Sequence, residues 1–289
     1  MTEISNANGL LDACFKWFVL GIVQGLTEFL PISSTAHLKV FPIVMGWGDP
    51  GISITAVMQL GSIIAVITYF RKDLRNVIKG ISLALFNGQW REPSAKIGFA
   101  ICLGTIPILL AGSAVKIFWT DFESSLLRSI PAIGFISILM AFLMLIAERS
   151  GRRYKTLRKT SLSDGLIVGI SQIFALIPGV SRSGITLSTS LFIGWERKDA
   201  AKFSFLLSIP AIILSGLAEI KNAYGQNLEL SFGILPMMIG ISSSAIISWL
   251  AIDWLLKHLQ SHSTWIFIFY RLIFGISLIF WWLVGKVNY

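Results

Sequence analysis

The sequence predicts an all-α polytopic membrane protein: six transmembrane helices and two re-entrant helix–loop–helix hairpins, arranged as an inverted-topology repeat in one integral membrane domain, residues 1–289. Three observations predict it. Hydrophobic residues make up 54% of the chain and charged residues 13%, with a mean hydropathy of +0.74; an average soluble domain carries about 25% charged residues. Several apolar runs approach the roughly 20 residues that a ~30 Å hydrocarbon core requires. Two further apolar stretches are broken by polar loops that resemble each other.

The elements follow in order. Residues 15–30 are long enough to enter a bilayer, but Pro31-Ile32-Ser33-Ser34-Thr35 interrupts them. The apolar piece after that break, 38–45, is too short to cross, so 15–46 reads as a hairpin that returns to its own side. Spans follow at about 52–71, 97–119 and 130–147 and complete a first repeat over about 14–147. Residues 164–177 enter again, are broken by "PGVSRSG" at 178–184, and return in a short piece to Trp195. This second hairpin, 164–195, leads to spans at about 203–221, 232–255 and 264–287, a second repeat over about 164–287. Irregular backbone at membrane depth survives only when buried in protein or lining a watery cavity. The plainer alternative is a pair of kinked full spans.

The two hairpins are related in sequence. "GIVQ" at 21–24 matches "GISQ" at 169–172, and a serine follows each glutamine at nine residues, Ser33 and Ser181. Three spans separate the hairpins, and an odd number of crossings inverts the second copy. Inverted repeats of this kind bring their broken helices together near the midplane.

Charge sets the orientation. The excess of 24 Lys and Arg over 15 Asp and Glu lies in loops. Arg71, Lys72, Arg75 and Lys79 form one cluster; Arg149, Arg152, Arg153, Lys155, Arg158 and Lys159 form another. Positive-inside loops account for both, so no nucleic-acid partner is expected. The loop between the second and third spans holds Asp121, Glu123 and Arg128 and goes outside, as does "GWGDPG" at 46–51; Arg197, Lys198 and Lys202 keep the end of the second hairpin inside. Both termini then lie outside. Trp90, Trp119, Trp254 and Trp265 fall near span ends, where interfacial aromatics belong. The first ten residues lack the basic start of a signal peptide. Cys14 and Cys102 read as free thiols. The partners expected are the lipid bilayer and a ligand within it; a homo-oligomer is left open.

Intramembrane ionisable groups are functional candidates by default. Gln24 and Glu28 are four apart and share a helix face, and Ser34 and His37 are three apart on the returning helix. Each returning helix points its N-terminus inward, where unpaired N–H groups and the dipole favour an anion. Ser181, Ser183 and Thr186 add hydroxyls around Arg182, whose fork suits bidentate phosphate capture. The cavity therefore reads as a site for a multiply charged oxyanion reached from the bilayer. Phosphoryl transfer is the chemistry these groups allow: Ser34 attacks phosphorus, His37 moves the proton, and Glu28 orients it or holds a metal. Arg182 and the helix N-termini stabilise the transferring group. Plainer readings stand beside these: serines that bond back to their own helix, a histidine that serves only as a hydrogen-bonder, and a structural Glu28–Arg182 pair. Arg271, in the last span, reads as structural, snorkelling to the cytoplasmic edge or pairing with Asp253, unless it faces the cavity. The S-R-x5-H-x3-D pattern of acid-phosphatase-type lipid phosphatases is absent, since its last two positions hold Ser188 and Phe192.

These residues carry a resemblance. Gln24-Gly25-Leu26-Thr27-Glu28, running on into "FLPISSTAHL", together with the complete Pro178-Gly179-Val180-Ser181-Arg182-Ser183-Gly184-Ile185-Thr186 and "KFSFLLSIPAI" at 202–212, resembles the undecaprenyl-pyrophosphate phosphatase family of bacitracin-resistance phosphatases. The resemblance spans essentially the whole chain. It implies removal of one phosphate from a C55 polyprenyl pyrophosphate at the outer face of the bacterial cytoplasmic membrane, recycling a lipid carrier of cell-wall synthesis. It implies a fold like the one above and a divalent cation, Mg2+ or Ca2+. Ser34 takes the place of the nucleophile and His37 assists. Glu28, Ser33, Ser181, Arg182, Ser183 and Thr186 match catalytic and pyrophosphate-binding positions, and the metal positions fall on Glu28 and Gln24. With glutamine at 24, Glu28 is the one carboxylate on that face, so a cation held between two carboxylates is not expected, and the alternative to a Glu28–Gln24 site is a cation that rides in on the pyrophosphate oxygens. A rival from another class is a carrier flipping polyprenyl phosphate, because inverted repeats with paired broken helices are transporter architecture. A carrier needs anion-binding groups but no serine–histidine pair. An ion channel fits poorly, since the loops favour anions and no carboxylate relay is present.

Overall fold

Each of the six apolar runs folds as a helix in the computed structural model, which describes residues 2–119, 125–224 and 233–285, with side chains for 9–51, 54–119, 125–216 and 233–285. Helix α1 (Thr2–Phe29) and the short α2 (Ser34–Val44) form the first hairpin. Helices α3 (Gly51–Tyr69), α4 (Arg71–Asn87), α5 (Pro93–Phe118) and α6 (Ile130–Ser150) follow. The second hairpin is α7 (Leu162–Gln172), a 3-10 turn (Ile173–Leu176) and α8 (Arg182–Phe192). Helices α9 (Arg197–Tyr224), α10 (Ile234–Ser261) and α11 (Trp265–Leu283) complete the described chain. The β-type pairing among the described residues is one isolated bridge, Lys155 with Trp195. The chain is a multi-pass membrane protein.

Two elements differ from the sequence reading. The entering arm of the first hairpin is longer than expected: Gly9–Phe29 is by length and composition itself enough to cross a membrane. The basic cluster at 71–79 is not a loop but the start of α4, bent by 69° from α3. Its Arg71, Lys72 and Arg75 share the helix with exposed Ile78, Leu85 and Phe86, the amphipathic pattern of a helix at an interface. The outer-loop acids Asp121 and Glu123 lie outside the described residues. Both returning helices, α2 and α8, have 11 residues, about half of what a crossing needs.

Small residues let the hairpins dock. Gly21 and Gly25 of α1 lie against Gly240, Ser244 and Ser248 of α10, so closely that a Cβ on either glycine would strike backbone atoms of α10. In the same manner Gly165 and Gly169 of α7 lie against the backbone of Ala100 and Gly104 of α5. Close backbone approach through small residues is how helices associate where no hydrophobic gain separates protein from lipid. The arrangement is reciprocal: the first arm of each hairpin packs on the penultimate helix of the other half. Gly134 of α6 and Gly275 of α11 meet in the same way.

One end of the bundle is fastened by charge. Glu148 of α6 accepts from Arg197 of α9 and from Thr264 Oγ1, 2.8 Å, before α11. Ser161 and Asp164 make a reciprocal cap at the start of α7, and Lys155 pairs with Asp164. The Lys155–Asp164 pair and the Ser161 cap tie the 151–161 connection to the start of α7.

Candidate active site

The two hairpin loops meet, and the turn in each is made by a serine in the left-handed region: Ser33 at φ 78° and Ser181 at φ 70°. Such a conformation costs a residue with a side chain about 1–3 kcal/mol. Each serine is the N-cap of its returning helix, Ser33 of α2 and Ser181 of α8. Each hydroxyl also meets a hydroxyl two residues on, Ser33 with Thr35 and Ser181 with Ser183, both at 3.1 Å. The loops interlock through Ser183, which donates to Leu30 O across the gap at 3.1 Å.

Glu28 is the centre of the arrangement. It is 9% exposed at the end of α1. Its Oε2 accepts from Ser34 Oγ at 2.6 Å and from Gln24 Nε2 at 3.1 Å, and its Oε1 accepts from Arg182 of the other loop. Gln24 Nε2 also donates to Ser62 Oγ at 3.2 Å, and Ser62 meets Ser248 at 2.9 Å. The carboxylate is thus held by three donors from both loops, as a buried charge must be. Ser34, Glu28 and Arg182 border a cavity of about 260 Å³, together with Gln24, Ser33 and Ser181.

Three expected residues are not in that lining. The sequence reading pairs His37 with Ser34, and the structure does not bring them together. His37 Nδ1 lies 2.7 Å from Ser33 O, which can only accept, so Nδ1 carries the proton; Nε2, 2.6 Å away, takes the hydroxyl of Tyr270. The imidazole stacks on Phe274 at 4.4 Å. The physical reason is competition: a buried carboxylate is the stronger acceptor for the Ser34 hydroxyl, while Tyr270 and the Ser33 carbonyl satisfy both ring nitrogens. Thr186 bonds back to Arg182 O at 2.8 Å within α8, and Ser183 is engaged with the loop. Neither lines the cavity.

Arg271 neither snorkels nor meets Asp253. It is fully buried at 0% exposure, and donates to Pro31 O at 3.1 Å and Gly179 O at 2.6 Å, one carbonyl from each loop. Asp253 instead accepts from Tyr69 OH at 3.1 Å and pairs with Lys257. Loop carbonyls that helix and lipid cannot satisfy supply the acceptors a buried guanidinium needs, so no carboxylate is required.

Other lining residues were not singled out from the sequence. Thr55 and Gln59 of α3 and Arg128 border the same cavity. Two polar residues four apart in an apolar run put them on one face of α3, a signal that was present. Arg128 stood only as a loop charge. Among the described residues no group of three or more His, Cys, Asp or Glu could hold a metal. Among the described residues Glu28 is the single carboxylate of the lining, and both its oxygens are occupied by donors. These residues do not by themselves fit a resident divalent cation.

Comparison with known proteins gives one answer. The family model described as bacitracin resistance protein BacA matches residues 17–277. The undecaprenyl-diphosphatase of Prochlorococcus marinus (strain MIT 9313) is 60% identical over 289 residues, covering 100% of this chain and 96% of that protein. That of Synechococcus sp. (strain WH7803) is 61% identical over 274 residues, 95% of each chain. That of Parasynechococcus marenigrum (strain WH8102) is 58% identical over 283 residues, 98% of each.

Proposed function

Because the chain belongs to the bacitracin resistance protein BacA family, we propose that it is an undecaprenyl-diphosphatase, hydrolysing the C55 diphosphate to the monophosphate and inorganic phosphate. The observation that carries the chemistry is the Ser34 hydroxyl at 2.6 Å from a Glu28 carboxylate that Arg182 holds from the facing loop. Ser34 Oγ attacks the terminal phosphorus and gives its proton to Glu28. The bridging P–O bond breaks, and its electron pair leaves on the lipid monophosphate. Glu28 passes the serine proton to the departing lipid monophosphate; water then attacks the phosphoserine and gives a proton to Glu28, which returns it to Ser34 Oγ as inorganic phosphate departs. Arg182 turns its fork from Glu28 to the phosphate oxygens as the substrate enters. The N–H groups at the starts of α2 and α8 meet the charge that develops.

His37 serves here by fixing the Ser33 carbonyl, and Ser33 and Ser181 contribute hydroxyls and N-caps. Ser183 and Thr186 support the loop that carries Arg182. The family's cation, Mg2+ or Ca2+, would come as the counter-ion of the diphosphate. The two halves form an inverted repeat with both termini outside, the protein lies in the bacterial cytoplasmic membrane, and the cavity serves its outer face. Loop charge and the reciprocal docking of the hairpins support the repeat and the terminus sides, and the cytoplasmic membrane and outer face rest on the family resemblance.

The test is phosphate release from C55 diphosphate by purified protein in detergent, beside Ser34→Ala. Release by wild type with a loss of at least about a thousandfold in Ser34→Ala is expected for a removed nucleophile. Normal kcat in Ser34→Ala would remove Ser34 from that role. No release by folded wild type across metals and pH would favour the carrier.

A further inference from the structure

We infer that Arg128 is a second cationic subsite for the diphosphate, holding the phosphate that stays on the lipid. This rests on the hydrolase reading above and names how its substrate is held. Charge balance carries it. Among the described residues the ionisable side chains that line the cavity are Glu28, Arg182 and Arg128. Glu28 and Arg182 pair with each other, so without Arg128 the lining has no net formal charge. Two helix N-termini supply about +0.5 each, whereas a terminal phosphate alone brings about −1.5 to −2. Arg128 supplies the missing cation, and its fork suits phosphate oxygens in a way a lysine does not.

Its position is built by the fold. Arg128 ends a single 3-10 turn, Leu126–Arg128, between α5 and α6. Its N–H donates to Ser125 O at 2.9 Å, and its carbonyl accepts from Lys39 Nζ of α2. The turn is therefore tied to the helix that Ser34 opens. Ser129, the next residue, caps α6. Thr55 and Gln59 line the cavity with it and offer neutral hydrogen bonds to the same oxygens. Among the described residues Arg128 joins no ion pair. A cavity of about 260 Å³ has room for roughly eight waters at ~30 Å³ each, enough for more than one phosphate. Ser34 and Arg182 serve the reacting phosphorus, which leaves the second phosphate for Arg128.

Binding of inorganic pyrophosphate and of inorganic phosphate is measured on Ser34→Ala protein, with residue 128 as Arg, Gln or Lys. Arg128→Gln should weaken pyrophosphate about tenfold, the worth of one charge-assisted contact, and phosphate less than about twofold. Arg128→Lys should recover part of the loss. In the Ser34 enzyme the same Gln variant should raise KM for the lipid diphosphate about tenfold and leave kcat within about threefold. No loss for pyrophosphate, or equal losses for both anions, overturns the inference. A wild type that fails to hydrolyse the lipid diphosphate overturns the hydrolase reading instead, and the pyrophosphate arm still reports on Arg128.

Discussion

At Ser33 and Ser181 the backbone takes a conformation that glycine adopts freely, yet both positions keep a hydroxyl. The hydroxyl bonds to its neighbour two residues on in each loop, a contact glycine could not make. Ser33 also has its carbonyl held by the His37 ring, and Tyr270 holds the other side of that ring. Tyr270→Phe keeps the stack and removes one hydrogen bond worth about 1 kcal/mol. It should lower kcat less than about tenfold, measured as initial phosphate release. A rise in activity would mean that His37 leaves Tyr270 to take the Ser34 proton, as the spacing of Ser34 and His37 had suggested. Gln24 is legible in the same way only in part. Its contact with Glu28 follows from the i,i+4 spacing, but its second partner, Ser62 of α3, lies on another helix that no spacing could foretell.

The helices show where propensity ends and packing begins. Apolar length located α3, α5, α6, α9, α10 and α11, and the breaks located the hairpins. The charges at 71–79 read as a loop, whereas 71–87 is a helix whose apolar residues fall on one face of a turn-by-turn pattern. Docking of the hairpins depends on glycines that lie flush with a facing backbone. A Cβ at Gly169 would meet Gly104 Cα and carbonyl C within van der Waals distance, whereas one at Gly112 would meet only Leu176 Cδ2 at 3.9 Å. Gly169→Ala should therefore destabilise by about 1–3 kcal/mol. Gly112→Ala should be neutral or stabilise by about 0.5–1 kcal/mol through helix propensity. Thermal unfolding in detergent compares the two, and equal midpoints would mean that α7 and α5 can separate without cost.

For the whole molecule, orientation rests on charge. In a background lacking Cys14 and Cys102, an impermeant maleimide should label Leu126→Cys in intact cells and Arg152→Cys only after permeabilisation. Both side chains are exposed, so the reverse pattern would invert the topology. Fold class, the two breaks, and the groups Glu28, Ser34 and Arg182 were determined by the sequence itself. Apolar length, polar residues inside it and a repeated motif are local properties that a bilayer reads directly. The tertiary structure alone decided who bonds to whom. Glu28 receives Ser34 and Arg182, His37 turns to Tyr270, and Arg271 joins Pro31 to Gly179. These choices depend on which partners two distant loops bring within about 3 Å of each other, and that distance belongs to packing, not to spacing along the chain.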